Sequence, residues 1–213
     1  MTKYDMPDLI LASSSTYRQA QLRTLSLPFR CVVPEISEDA LPYESPAGLA
    51  RRLALQKAQA IAKQFPDSIV IGADQVLNHQ LNPLGKPMTH ARAFEQLTQL
   101  SGQTVVFHSA VALISAQTQQ IRCVDCRAQF RTLTPAQIQA YLKHERPYDT
   151  AGSAKAEGLG ITLLASLESN DPSAIIGLPL IALTDMLSRI GLNPLEHISS
   201  HSTITDIEMP SEP

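Results

Sequence analysis

The stretch Leu9-Ile10-Leu11-Ala12-Ser13-Ser14-Ser15-Thr16-Tyr17-Arg18 passes abruptly from four apolar residues to a run of hydroxyls and an arginine. The apolar part is too continuous for a half-exposed strand and reads as a short buried one. The hydroxyls offer N-caps for a helix that starts near Thr16 and runs to residue 25. A strand feeding a helix N-terminus leaves free backbone N–H groups at a positive dipole end, which together form an anion site. Arg18 falls about one turn into that helix, where its guanidinium can fork onto phosphate oxygens. The plainer alternative is a capped helix with a surface arginine, and the rest of the chain has to decide between them.

Working outward, residues 29–33 read as a second strand, and 36–45 as an acidic irregular loop punctuated by Pro42. Residues 46–64 carry the clearest helical pattern, with Ser45 as N-cap, Pro46 at N1 and Leu49, Leu53, Ala54, Ala58 and Ile61 on one face. Residues 68–71 form a buried strand that stops at Gly72-Ala73-Asp74-Gln75, with 76–77 as a continuation and 78–86 as a polar loop or hairpin tip. A helix over 89–100 ends at Ser101-Gly102. Two long strands, 104–115 and 120–131, flank the turn 116–119. A helix over 134–144, a glycine-rich segment 151–160, a short strand 161–164 and a helix 178–191 complete the order. The pattern is α/β, a mixed twisted sheet flanked by helices. Residues 1–195 are expected as one domain and 196–213 as a flexible polar tail.

The chain has 213 residues, a net charge of −3 and no runs of Lys or Arg, so no nucleic-acid polymer is expected as a partner. The first eight residues lack an apolar core, no apolar stretch is long enough to span a bilayer, and the three cysteines are odd in number. Those features point to the cytoplasm, with no membrane. Cys123 and Cys126 make a C-x-x-C, but no second ligand pair stands nearby in the sequence. On a strand, residues three apart face opposite sides, so the two would not chelate together.

Charged groups gather where apolar strands end or glycines intervene: Ser13 to Arg18, Glu38 and Asp39, Asp74, and Lys86 between Gly85 and Pro87. Lys57 sits on the strong helix, and Lys155 and Glu157 lie in the glycine-rich segment. Singly, each has an ordinary explanation: a snorkelling lysine, an aspartate capping a turn, a solvated loop charge. As a set, hydroxyls, cationic side chains and carboxylates suit phosphoanhydride hydrolysis. Arg and Lys neutralise phosphate, and carboxylates hold a hard cation or activate water. No G-x-x-x-x-G-K-[ST] is present, which removes a P-loop mechanism.

The run at 9–18, Arg52-Leu53-Ala54 with Lys57-Ala58, Gly72-x-Asp74, Gly85-Lys86-Pro87, Leu100-Ser101-Gly102, Ala151-Gly152 and Gly177-Leu178-Pro179-Leu180 together resemble the Maf nucleoside triphosphate pyrophosphatases. The resemblance spans residues 9–195 and implies two lobes around a cleft on an elongated mixed sheet, related in shape to the inosine triphosphate pyrophosphatases. It implies hydrolysis of a nucleoside triphosphate to the monophosphate and diphosphate with Mg²⁺ or Mn²⁺. By the same resemblance Ser13, Ser15 and Arg18 bind phosphate, Lys57 and Lys86 are the paired lysines, and Asp74 is the general base. Glu38 and Asp74 are the metal-side carboxylates. Tyr17, Gln75 and Glu157 are similar to the branch acting on 7-methyl-GTP, where an aromatic and an acidic group suit a methylated, cationic guanine. Pyrimidine nucleotides as substrates, or a nucleotide-binding role in septum formation, remain the alternatives. A homodimer is compatible with the sequence.

Overall fold

The computed structural model describes residues 7–80 and 82–198. Seven strands form one mixed sheet in the order β2-β1-β3-β5-β6-β7, with β4 paired to β3 off that path. Strand β1 (Leu9–Ala12) runs parallel to β2 (Arg30–Cys31) and β3 (Ile69–His79). All other pairings are antiparallel: β3 with β4 (Asn82–Leu84) and β5 (Thr104–Ser115), β5 with β6 (Thr118–Phe130), and β6 with β7 (Leu164–Glu168). All four residues of β1 are buried. Each buried Leu or Ile is worth about 1.5–3 kcal/mol, which is why an apolar run of only four holds a central position.

Helices cover both faces. α1 (Thr16–Arg23) and α5 (Leu180–Ser188) close one side of β1, β3 and β5 around Leu11, Leu22, Ile71, Val111, Leu183 and Met186. α2 (Pro46–Ala62) closes the other through Leu53, Ala54, Ala58 and Ile61. Beyond it the far halves of β5 and β6, with α3 (His90–Leu100) and α4 (Pro135–Glu145), enclose a second core around Phe107, Phe130, Leu97 and Leu142. β3, β5 and β6 are long enough to take part in both lobes, and a cleft opens between them.

The helix starts follow their capping chemistry. Ser15, Ser45 and Thr89 accept the N3 backbone N–H of α1, α2 and α3, and Thr134 with Gln137 makes a full capping box on α4. α2 also needs a flat bed. Ala12, Gly72 and Ala112 lie side by side in the sheet, and a Cβ on Gly72 would stand 2.2 Å from the Ala54 carbonyl oxygen and 2.7 Å from the Ala58 nitrogen. Gly72→Ala is therefore expected to push α2 outward and cost about 1–3 kcal/mol. That is a fall in Tm of roughly 2–12 °C for a chain of this size; an unchanged melting curve would refute the close approach.

Several boundaries differ from expectation. The second strand shrinks from 29–33 to Arg30–Cys31, because Pro34 lacks a donor and Val33 turns into the cleft wall. The pieces 68–71 and 76–77 are one strand running through Gly72 and Asp74, and 78–86 does contain a hairpin, made by β4. The expected strand 161–164 is a 3-10 turn, Leu159–Leu163, with the true strand starting at Leu164. Gly160 packs so closely on the Lys155 backbone that a Cβ would lie 2.5 Å away, which holds the chain in that turn. The helix expected from 178 begins at Leu180, after Gly177 at φ 120° and Pro179 at the cap. A short α6 (Pro194–Ile198) crosses the expected domain end at 195, and the tail beyond Ile198 lies outside the described residues.

Candidate active site

The cleft has a volume of about 520 Å³, within the range of small-molecule sites. Its floor is the turn from β1 into α1. Ser13 is buried and its Oγ accepts the Ser15 N–H at 3.1 Å, while Ser15 Oγ accepts the Arg18 N–H at 3.4 Å. These bonds use the oxygens as acceptors and shape the turn. The N–H groups of Thr16 and Tyr17, at the first two helical positions, have no acceptor within the helix and face the cleft end of the dipole. Arg18 reaches across α1, and its Nε–H donates to the Gly177 carbonyl at 3.0 Å. The Gln21 amide donates to the Ser173 and Leu178 carbonyls at 2.8 and 3.0 Å. Gly177-Leu178-Pro179-Leu180 is thus the brace that aims Arg18, and the φ of 120° at Gly177 demands glycine there.

The middle of the cleft is a buried ion triad. Lys57 projects from α2, and Asp74 from the α2 side of β3, two residues beyond Gly72. Lys57 Nζ donates to Asp74 Oδ1 at 2.6 Å and to Glu38 Oε1 at 2.7 Å. Lys57 and Asp74 are each 6% exposed, whereas Glu38 comes in from an exposed loop. Burial raises the Asp74 carboxyl above its ordinary value, against the opposing charges of Lys57 and Arg18. Burial also pushes Glu38 upward, but the Lys57 hydrogen bond and the charges of Lys57, Lys86 and Arg18 outweigh it and leave that carboxyl below normal. Desolvation works against the charge on Arg18, and Asp74 and Glu38 counter it.

Arg52 fixes the acidic loop. Its Nε and Nη2 hold both Glu44 carboxylate oxygens at 2.7 and 2.8 Å, and Nη2 also donates to the Asp39 carbonyl at 2.8 Å. This bidentate clasp sets the approach of neighbouring Glu38. On the opposite wall Lys86 is held from both sides: Gln96 donates to the Gly85 carbonyl at 3.0 Å, and the Met88 N–H to the Tyr148 carbonyl at 2.9 Å.

Ser13, Ser15, Tyr17, Arg18, Glu38, Lys57, Asp74 and Lys86 all line this one cleft. The other two expected specificity residues behave differently. Gln75 also borders the cleft, but it follows Asp74 on the strand and so projects to the opposite face. Its amide donates to Ser109 Oγ and to the Ala174 and Ile175 carbonyls, each at 2.9 Å, so it secures the turn Pro172–Ile176. Glu157 is exposed and is not among the lining residues. The carboxylate that meets Tyr17 is instead Asp149, whose Oδ1 accepts the phenol O–H at 3.4 Å, while Lys155 Nζ sits 5.4 Å over the ring. Asp149 lies 132 residues from Tyr17 along the chain and belongs to no motif that sequence reading singled out.

Comparison with known proteins adds four findings. The family profile described as "Maf-like protein" matches residues 8–190. A protein of Bordetella avium named 7-methyl-GTP pyrophosphatase is 57% identical over 189 residues, 89% of this chain and 96% of its own length. One of the same name from Cupriavidus pinatubonensis is 52% identical over 193 residues, 90% and 97% respectively. Among solved structures, that of a HAM1 protein from Coxiella burnetii covers 59% of this chain and 73% of its own, at 22% identity and a TM-score of 0.44.

Proposed function

The chain belongs to the Maf-like protein family, and from that premise we propose that it is a nucleoside triphosphate pyrophosphatase acting on 7-methyl-GTP. The observation that carries this reading is the buried Lys57 shared by Asp74 and Glu38, lining the same cleft as the α1 N-terminus. An anion cradle with a desolvated carboxylate beside it is what phosphoanhydride hydrolysis by water requires. The names of relatives at 50–57% identity support the choice of substrate.

In this reaction a water oxygen bonds to the α-phosphorus as the bond to the α–β bridging oxygen breaks, giving 7-methyl-GMP and diphosphate. Asp74 takes the water proton. Its raised carboxyl, set by burial, makes it a better base than a solvated aspartate while Lys57 keeps it oriented. Arg18, Lys86 and the first N–H groups of α1 neutralise charge on the chain of phosphates. Glu38 and Asp74 each have a second carboxylate oxygen beyond the one given to Lys57. These hard donors fit Mg²⁺ or Mn²⁺, which when bound would add charge neutralisation at the phosphates. The three free thiols suit a reducing cytoplasm, and among the described residues no helix is long and apolar enough to cross a membrane.

For the base, Tyr17 offers a stacking face and Asp149, rather than Glu157, the acceptor for the guanine N1–H and amine. Diphosphate release measured over 7-methyl-GTP, GTP, UTP and dTTP should favour the methylated nucleotide in kcat/KM. Loss of a cation–π contact of about 0.5–2 kcal/mol predicts that Tyr17→Ala lowers kcat/KM for 7-methyl-GTP by roughly 2–30-fold, with GTP less affected. Asp149→Asn should narrow the same preference. Equal use of 7-methyl-GTP and GTP by the unmodified protein would sink the substrate assignment, and nucleotide binding without turnover would favour a regulatory role.

A further inference from the structure

On the α2 face of the sheet, one strand beyond Asp74, three side chains of differing chemistry converge. His108 on β5 stands opposite Asp125 on β6, and Cys123 is two residues from Asp125 on the same face. One ligand atom from each lies within 4.8 Å of the others. His108 is buried, Cys123 half-buried and Asp125 exposed, so the cluster is enclosed on one side and open on the other. Cys126, by contrast, faces the second lobe's core, so the two cysteines of the C-x-x-C do point apart.

The groups around the imidazole show what the cluster lacks. His108 Nδ1 is 2.7 Å from Asp125 Oδ1. Its Nε2 is 3.4 Å from the Asn78 amide, and Asn78 Oδ1 is buried with no hydrogen-bond partner. The two ends of an amide have nearly the same shape. Turned over, Asn78 offers its oxygen to an Nε2–H, the support from behind that a metal-bound imidazole takes. That tautomer leaves a lone pair on Nδ1 aimed at a carboxylate oxygen 2.7 Å away. Two acceptors at that distance need a proton between them, or must part by a fraction of an ångström to admit a metal ion. The thiol of Cys123 within the same reach, and a histidine fixed from behind by an amide oxygen, are the marks of a metal ligand set.

We propose that His108 Nδ1, the Asp125 carboxylate and Cys123 Sγ form a binding site for a borderline-soft divalent cation of the Zn²⁺ class, with Asn78 as the positioning residue for the imidazole. An N/S/O donor set selects against Mg²⁺, which separates this site from the all-oxygen pair Glu38 and Asp74. Tetrahedral coordination puts donor atoms about 3.4–3.7 Å apart at Zn–N, Zn–O and Zn–S lengths near 2.0–2.3 Å. His108 and Asp125 therefore open by that fraction on binding, and Cys123 closes in by about 1 Å. Arg51 of α2, which lies against the Cys123 sulfur, is exposed and swings into solvent.

The test is Co²⁺ titration of the full chain in excess Mg²⁺, which occupies oxygen-only sites, followed by the thiolate-to-cobalt charge-transfer absorption. One equivalent should develop the band, and Zn²⁺ should discharge it. Cys123→Ser should abolish it, with far-ultraviolet circular dichroism confirming the fold, whereas Cys31→Ser should keep it. Asn78→Leu should weaken Zn²⁺ binding by about 10–100-fold, while Asn78→Asp, which retains the acceptor, should bind as the unmodified chain does. No band in the unmodified protein, or a band that survives Cys123→Ser, would overturn the site and show that a proton alone joins His108 to Asp125. Neither result bears on diphosphate release from nucleotides.

Discussion

Asp74→Asn is expected to lower kcat for diphosphate release by about 10²–10⁴-fold, the usual contribution of a positioned general base. KM should change little, because the proposed phosphate contacts, Arg18, Lys86 and the α1 N-terminus in the same cleft, are untouched by the change. The amide keeps the size of the carboxylate and can still accept from Lys57, whose charge Glu38 still pairs at 2.7 Å, so the fold should survive and the loss can be read as chemistry. The pH profile carries a second readout. Burial raises the Asp74 carboxyl above the ordinary range near 3.9. A base must be ionised to act, so kcat/KM of the unmodified enzyme should fall as pH drops through that raised value, and the residual rate of Asp74→Asn should lack this limb. Full activity in the variant would remove Asp74 from the mechanism.

Lys57→Met has the largest expected effect on stability. Lys57 and Asp74 are both buried and joined at 2.6 Å. Deleting one partner of a buried pair strands the other charge and costs about 3–5 kcal/mol. For a chain of this length that is a fall in Tm of roughly 6–20 °C near neutral pH. The direction with pH follows from the sign. Without its partner the folded-state carboxyl rises still further above its unfolded value, so the variant's deficit is full above that pKa. The deficit shrinks as pH falls toward the unfolded carboxylate range, where Asp74 is neutral in both states. Adding Asp74→Asn to Lys57→Met should recover most of the loss. A single variant melting within about 1 °C of the unmodified protein would mean that water, and not Lys57, compensates Asp74.

The parts of the molecule legible in the sequence are those whose causes are local. Leu9 to Ala12 is apolar without a break because both of its faces are covered. Ser45-Pro46 and Thr134-Pro135 announce helices because the cap and the fixed φ act within four residues. Gly72 and Asp74 misled the reading of β3 for a physical reason. A glycine and a charge look like a strand's end, but here they are the contact that admits α2 and the acid that faces Lys57. Likewise the apolar Ile161 suggests strand, while the neighbouring Gly160 holds a turn through a contact that no periodicity encodes. At the site, groups carried on motifs could be named in advance. The partner of Tyr17, the second role of Gln75 and the meeting of His108 with Cys123 could not, since each depends on strand register or on chain segments more than a dozen residues apart.

The three strands that run uninterrupted through both lobes have a bearing on how such an enzyme can diversify. Cut between the lobes, β3, β5 and β6 would each end as a half-length strand with open edges, and neither fragment would keep the core that the other half completes. The architecture is therefore not modular. A lineage cannot trade one lobe for a foreign one to acquire a new substrate, as two-domain enzymes do by recombination. What remains free to drift is the part of the rim around Tyr17: the segment bearing Asp149 and the neighbouring Lys155. Substitutions there can reshape the choice of base one side chain at a time while the proposed phosphate cradle, at the turn from β1 into α1, stays as it is.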